Sequence, residues 1–227
     1  MKKALFFATL IGIAVAAGTV AQVKNFTPVT KAMLANPSPD DWLMFSRTYD
    51  AQRFSPLDQI NTQNASKLTE AWKRDLTTGT LEIIPIAYKG VLYAQVQGSV
   101  LALDGATGAV LWEYKRGGAF KAKTMSIFED MIIYAAPDNN VVALDAATGA
   151  VRWATPSTGL SSGTVVFEEK VITGHTCSNS RESCAIIAYD ARTGKEAWRF
   201  ITAAGPEDPV GDASWGGAPA AGRRAST

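Results

Sequence analysis

Little in this chain favours charge of one sign. Its 22 basic and 21 acidic side chains leave a net charge of +1, and Lys2 and Lys3 at the extreme N-terminus supply two of the positives. No basic stripe follows, which argues against nucleic acid as a partner. Histidine is almost missing: His175 is the only one, so any Ser-His-Asp or Cys-His device would have to be built around it. No G-x-x-x-x-G-K-[ST] occurs, and no G-x-G-x-x-G opens a helix, so nucleotide chemistry has no foothold. C-x-x-C-H is absent, which excludes a c-type haem in this segment. Beyond the first residues no apolar run is long enough to cross a membrane, and no low-complexity tract appears.

The opening "MKKALFFATLIGIAVAAGTVAQV" places two lysines before about fifteen apolar residues, with small residues for cleavage near Ala21. It reads as a secretory signal peptide over residues 1–21, and the periplasm is the implied destination. A retained N-terminal anchor is the alternative. No cysteine follows the cleavage point, which argues against a lipid anchor. Residues 22–40 form a polar lead-in ending in "NPSPDD", and 203–222 read as a long Gly/Pro/Ala loop.

What is abundant is repetition. "ALDGATGAVLW" (102–112), "ALDAATGAVRW" (143–153) and "AYDARTGKEAW" (188–198) are near copies. Each follows an apolar run rich in β-branched and aromatic residues, as hairpin strands are. Asp-x-x-Thr-Gly is turn chemistry: Asp and Thr hydrogen-bond nearby backbone, and Gly accepts positive φ. The closing Trp is large enough to pack across a seam between sheets. One copy alone would be an ordinary hairpin loop. The spacing says more: Asp104, Asp145 and Asp190 lie 41 and 45 residues apart, and Trp72, Trp112, Trp153 and Trp198 lie 40, 41 and 45 apart. A period of that size is the signature of propeller blades, small sheets that bury their faces only by stacking. The fold expected is all-β, with residues 41–227 forming part of a β-propeller.

Cys177 and Cys184 flank six residues in "HTCSNSRESC". In an exported protein a close pair is most simply a disulfide, contributing roughly 2.5 kcal/mol through loop closure. A metal site using both thiols and His175 is the alternative, although no fourth ligand is evident.

The segment "DWLMFSRTYDAQRFSPLDQINTQNASKLTEAW" (41–72) is more specific than the repeats. It resembles the opening of pyrroloquinoline quinone (PQQ)-dependent alcohol dehydrogenases. The blade corners look like that family's tryptophan docking motifs, and the tail "GPEDPVGDASWGGAPAAGRRAST" is similar to a mid-chain loop in one branch of it. The resemblance covers residues 40–227. It implies an eight-bladed propeller with PQQ on its axis, a calcium or lanthanide ion beside it, a small alcohol as substrate, and a cytochrome c or another electron acceptor. Aligned through the blade motifs, Glu82 falls on the family's cofactor-contacting Glu and Lys123 on a basic residue near the quinone. Ser161 and Thr176 fall on cofactor-facing hydroxyl positions, and Asn179 on the metal-binding Glu. For Glu82 the competing reading is a carboxylate at a strand start, for Lys123 a solvated lysine, and for the hydroxyls ordinary turn residues.

The sequence departs from the family pattern in three ways. Gly117 and Gly118 stand where many members carry the adjacent cysteines that cap PQQ. Asn179 offers a neutral oxygen where a hard cation favours a charged one. The family's general-base Asp and remaining cofactor ligands have no counterpart here. About 206 residues remain after the signal, room for roughly four to five blades, so the chain reads as the N-terminal part of a truncated quinoprotein dehydrogenase, inactive by itself. The rival reading is a non-catalytic propeller of the same repeats, a binding scaffold such as those assisting outer-membrane assembly.

Overall fold

The computed structural model describes residues 22–76, 83–96, 98–118, 124–177 and 180–223. Twelve strands form three four-stranded antiparallel sheets, each in simple meander order. The first holds β1 (Ile86–Tyr88), β2 (Val91–Val96), β3 (Ser99–Asp104) and β4 (Val110–Lys115). The second holds β5 (Met125–Phe128), β6 (Met131–Ala136), β7 (Asn140–Asp145) and β8 (Val151–Pro156). The third holds β9 (Leu160–Phe167), β10 (Lys170–His175), β11 (Ala185–Asp190) and β12 (Glu196–Ile201). These are three blades of a propeller, and the three repeated corners are the turns between the third and fourth strands.

Each corner closes the same way. Asp104 Oδ1 accepts from the amides of Ala106 and Thr107 and from the Thr107 hydroxyl at 2.8–3.1 Å, and Asp145 and Asp190 repeat the pattern. The register slips one residue before each Asp, turning the chain toward the corner. The Trp of the preceding repeat then docks from the neighbouring blade. Nε1 of Trp72, Trp112 and Trp153 donates to the carbonyls of Gly105, Ala146 and Ala191 at 3.0–3.1 Å. Its ring lies flat on the corner glycine: a Cβ on Gly108, Gly149 or Gly194 would come within 2.5–2.7 Å of ring atoms. One glycine thus serves two needs, positive φ and a seat for the indole.

The first and second strands of each blade join through two-residue turns, Lys89-Gly90, Glu129-Asp130 and Glu168-Glu169. The carbonyl of the second turn residue accepts from the corner amide of its own blade: Gly105 to Gly90, Ala146 to Asp130, Ala191 to Glu169. These turns and the corners therefore lie at one end of the blades. The starts of β1, β5 and β9, and the connections between second and third strands, lie at the other.

Residues 22–49 do more than lead in. Val23 donates to Ala147 O, and Tyr88 and Lys89 reach Thr27 from the first blade. Val29 exchanges two backbone bonds of 2.8 Å with Glu129 of the second blade, and Lys31 pairs with Glu168 and Glu169 of the third. After the short helix α1 (Lys31–Ala35), Trp42 pairs with Ala87 and the Tyr49 hydroxyl donates to Val166 O. Val29, Leu34 and Leu43 are buried in the main core. The segment is a strap across all three blades.

Candidate functional site

The first strands of the blades converge at the end opposite the corners. Ile84 bridges Thr124, the Thr164 amide donates to Thr124 O at 3.3 Å, and Ser126 Oγ donates to Thr164 Oγ1 at 3.0 Å. At Gly163 a Cβ would sit 1.8 Å from Thr124 Oγ1, so only glycine permits this approach of β9 to β5. Glu82, Lys123 and Asn179 lie outside the described residues. Ser161 lies near the start of β9, and Thr176 follows the end of β10 directly alongside it, since Leu160 pairs with His175. The structure therefore brings the two hydroxyl candidates to one sheet end.

Their present partners are main-chain carbonyls. Ser161 Oγ donates to Gly174 O and the exposed Thr176 Oγ1 to Gly159 O, both at 3.3 Å. Ser162 Oγ accepts from the Gly174 amide at 2.7 Å and lies 3.4 Å from Thr173 Oγ1. Ser161 and Thr173 also line a groove of about 850 Å³ whose opposite wall is Met44, Phe45 and Tyr49. The set is rich in hydroxyls and poor in charge. Each hydroxyl can rotate to donate to an anionic oxygen. For a cation the described residues offer no ligand set: among them no group of three or more His, Cys, Asp or Glu side chains could hold a metal.

Cys177 and Cys184 form the disulfide expected from their spacing, with Cα atoms 4.3 Å apart. This leaves no thiolate for a metal. His175 is likewise committed. Its Nδ1 lies 2.9 Å from Thr158 O, and since a carbonyl only accepts, Nδ1 carries the proton. Nε2 then accepts from Ser157 Oγ at 3.2 Å, and Ser157 in turn accepts from the Tyr189 hydroxyl at 2.5 Å. Burial pushes the imidazole pKa below its ordinary value. A Ser-His couple exists here in distance, but a carbonyl occupies the place of the orienting carboxylate, and the group is buried. It is a core network joining β10 to β11.

Sequence reasoning missed Gly163 and the hydroxyl row Thr124–Ser126–Thr164, because nothing local marks which strand starts meet. It also missed Arg181 and Arg223, whose guanidinium groups bind carbonyls of residues 203–218. Arg181 in a Ser-rich loop and Arg223 at the end of a Gly/Pro/Ala stretch gave no periodic signal.

Comparison with known proteins follows the same outline. The PQQ_2 family model, described as "Outer membrane protein assembly factor BamB", matches residues 37–213. An alcohol dehydrogenase (quinone) dehydrogenase subunit from Gluconobacter oxydans is 34% identical over 201 residues, covering 78% of this chain and 27% of that protein. Quinohemoprotein alcohol dehydrogenase ADH IIB of Pseudomonas putida is 37% identical over 188 residues, covering 75% and 27%. The structure of quinohemoprotein alcohol dehydrogenase ADHIIG from Pseudomonas putida superposes with a TM-score of 0.71 at 32% identity, covering 82% of this chain and 30% of the other. The Comamonas testosteroni quinohemoprotein alcohol dehydrogenase gives 0.69 at 29% identity, covering 80% and 30%. The chain spans under a third of the length of the relatives it matches.

Proposed function

The chain belongs to the PQQ-repeat propeller family, together with the quinoprotein alcohol dehydrogenases, and from that premise we propose that it forms the first blades of a periplasmic PQQ-dependent dehydrogenase of small alcohols. The observation that carries this reading is continuity: the likeness to quinone alcohol dehydrogenases covers three quarters or more of the chain, well beyond the corner motifs that any such propeller shares. Bound PQQ would supply a two-electron acceptor for the hydride leaving the alcohol carbon.

The chain's own part is to bind and orient. Ser161 and Thr176 would turn their hydroxyls to the cofactor rim, joined there by Glu82 and Lys123, which precede β1 and β5 in the sequence. Asn179 contributes a neutral oxygen toward a calcium or lanthanide ion, lowering the demand for that ion relative to a carboxylate. No residue of this chain is assigned the general-base role. The electron acceptor would be a haem or cytochrome, consistent with the quinohemoprotein names of the relatives. Export would use residues 1–21.

Equilibrium dialysis of the 227-residue protein against PQQ tests the reading. Saturable binding, weakened by Ser161→Ala and by Thr176→Val, is expected; absence of saturable binding with and without calcium would reject it. Assayed alone with PQQ, calcium and ethanol, the chain is expected to reduce no dye above background. Preorganised catalysis needs a complete, water-excluding site.

A non-catalytic scaffold is the second reading. Gly117 and Gly118 in place of the capping cysteines, and the description of the matching family model, favour it. A protein lacking PQQ affinity but retaining a stable fold would be its signature.

A further inference from the structure

The connection between β10 and β11 is much longer than its counterpart in the second blade. In the second blade the equivalent turn is short, Pro137-Asp138-Asn139; in the third it spans residues 176–184 and is closed by the disulfide. Resting on the reading above, this loop opens with one of the proposed cofactor groups, Thr176. A nine-residue loop does not hold a hydroxyl to a fraction of an ångström by one crosslink. Something must fix it from outside.

Two arginines do so. The Arg181 side chain is only 11% exposed and lies in the disulfide loop itself. Its Nε donates to Ala203 O at 2.7 Å, and its guanidinium pairs with the Glu207 carboxylate. Gly205 packs so closely that a Cβ there would lie 2.3 Å from Arg181 Cζ. Arg223 fixes the same segment from its far end. Its guanidinium, 4% exposed, donates to Ala204 O at 2.9 Å and to Ala218 O at 3.0 and 2.6 Å, pairs with Asp212 at 2.5 Å, and sits 5.5 Å from the centre of the Trp215 ring. The carbonyl of Arg223 lies 3.8 Å from Cys184 Sγ, which closes the circuit back to the disulfide. Residues 203–223 have almost no apolar core of their own. Their order comes from these two cations satisfying carbonyls that a Gly/Pro/Ala loop leaves without strand partners.

We propose that Arg181 is a positioning residue of the candidate site: with Arg223 it locks residues 203–223 onto the disulfide loop as a single cap, and so fixes Thr176. Arginine suits the task because its planar fork meets a carbonyl and a carboxylate at once; lysine offers only a point charge.

Hydrogen exchange and PQQ dialysis on the full chain test this together. Arg181→Ala is expected to raise amide exchange at least tenfold in both 176–184 and 203–223, leave exchange in β5–β8 unchanged, and weaken PQQ binding about tenfold. Arg181→Lys should recover part of the affinity, and Arg223→Met should reproduce the exchange pattern. If Arg181→Ala leaves the 176–184 amides as protected as in the parent, the cap is not held this way and the proposal is overturned. It is equally overturned if the cap loosens while PQQ affinity stays constant. Should the parent bind no PQQ, the dehydrogenase reading fails and with it the cofactor role of the cap, whereas the exchange pattern still decides whether Arg181 and Arg223 hold it.

Discussion

Glycine at the corner shows how much one residue can decide. Gly149 has φ +74, and its missing Cβ is the space in which the Trp112 ring lies. Gly90 has nearly the same dihedral, φ +78, yet nothing lies within 4 Å of where its Cβ would be. The pair separates backbone strain from packing. Gly90→Ala is expected to cost about 1 kcal/mol, the left-handed penalty alone, whereas Gly149→Ala should cost at least about 3 kcal/mol because the indole must also be displaced. Urea unfolding of the two variants measures both, and equal losses would show that the Trp seat contributes nothing.

His175 makes a second residue-scale prediction. Burial lowers its pKa, reinforced by Arg199 and opposed by its bond to Thr158 O and by Glu196. The unfolded chain therefore binds a proton more readily than the native one. The stabilisation is complete above the ordinary histidine value of about 6.5 and declines as pH falls below it. The urea midpoint should drop between pH 7.5 and 5.5, and His175→Gln should flatten that drop. The corner aspartates act in a lower window. The hydroxyl and amide of Thr107 hold the Asp104 carboxyl below the usual range, so its contribution is lost only in acid.

Among elements, the strap of residues 22–49 stands apart because no periodicity announces it. Blades 1, 2 and 3 hold each other through Trp docking at their outer strands, and the strap ties their inner turns with Val29 at its centre. Val29 is fully buried and paired on both sides to Glu129. Val29→Asp would bury an unpaired carboxylate and should destabilise by about 3 kcal/mol or more. If the strap couples the blades, the variant should also broaden the unfolding transition, since blades that part company melt separately. A sharp transition with unchanged midpoint would show the strap to be ornamental to stability.

At the scale of the molecule, much of one face of the third blade is exposed, although Tyr49 of the strap packs edge-on against Phe167 at its margin. Phe128 of the second blade is 2% exposed, with Arg192 of the third blade over its ring; its equivalent in the third, Phe167, is 52% exposed, and on the fourth strand of that blade Trp198 is 44% and Phe200 62% exposed. The three corners hold Trp72, Trp112 and Trp153, and Trp198 is left exposed. Such a patch favours self-association. Sedimentation velocity is expected to show oligomers that shrink when Phe167 and Phe200 are changed to Lys, with stability retained. A monomer at all concentrations would refute this.

How much of this was legible in the sequence depends on whether the information is local. The sequence by itself determined the corners, the blade period and the family, and favoured the disulfide, because Asp-x-x-Thr-Gly closes on itself and the Trp spacing repeats wherever blades stack. Only the tertiary structure decided which strand starts meet, and so that Ser161 and Thr176 share one sheet end while His175 is spent in a core network with Ser157 and Tyr189. It also decided that a polar-looking lead-in is a strap, and that two distant arginines close a single cap. These outcomes depend on contacts between residues far apart in the chain, whose partners are chosen by packing and by unsatisfied carbonyls rather than by any pattern along the sequence.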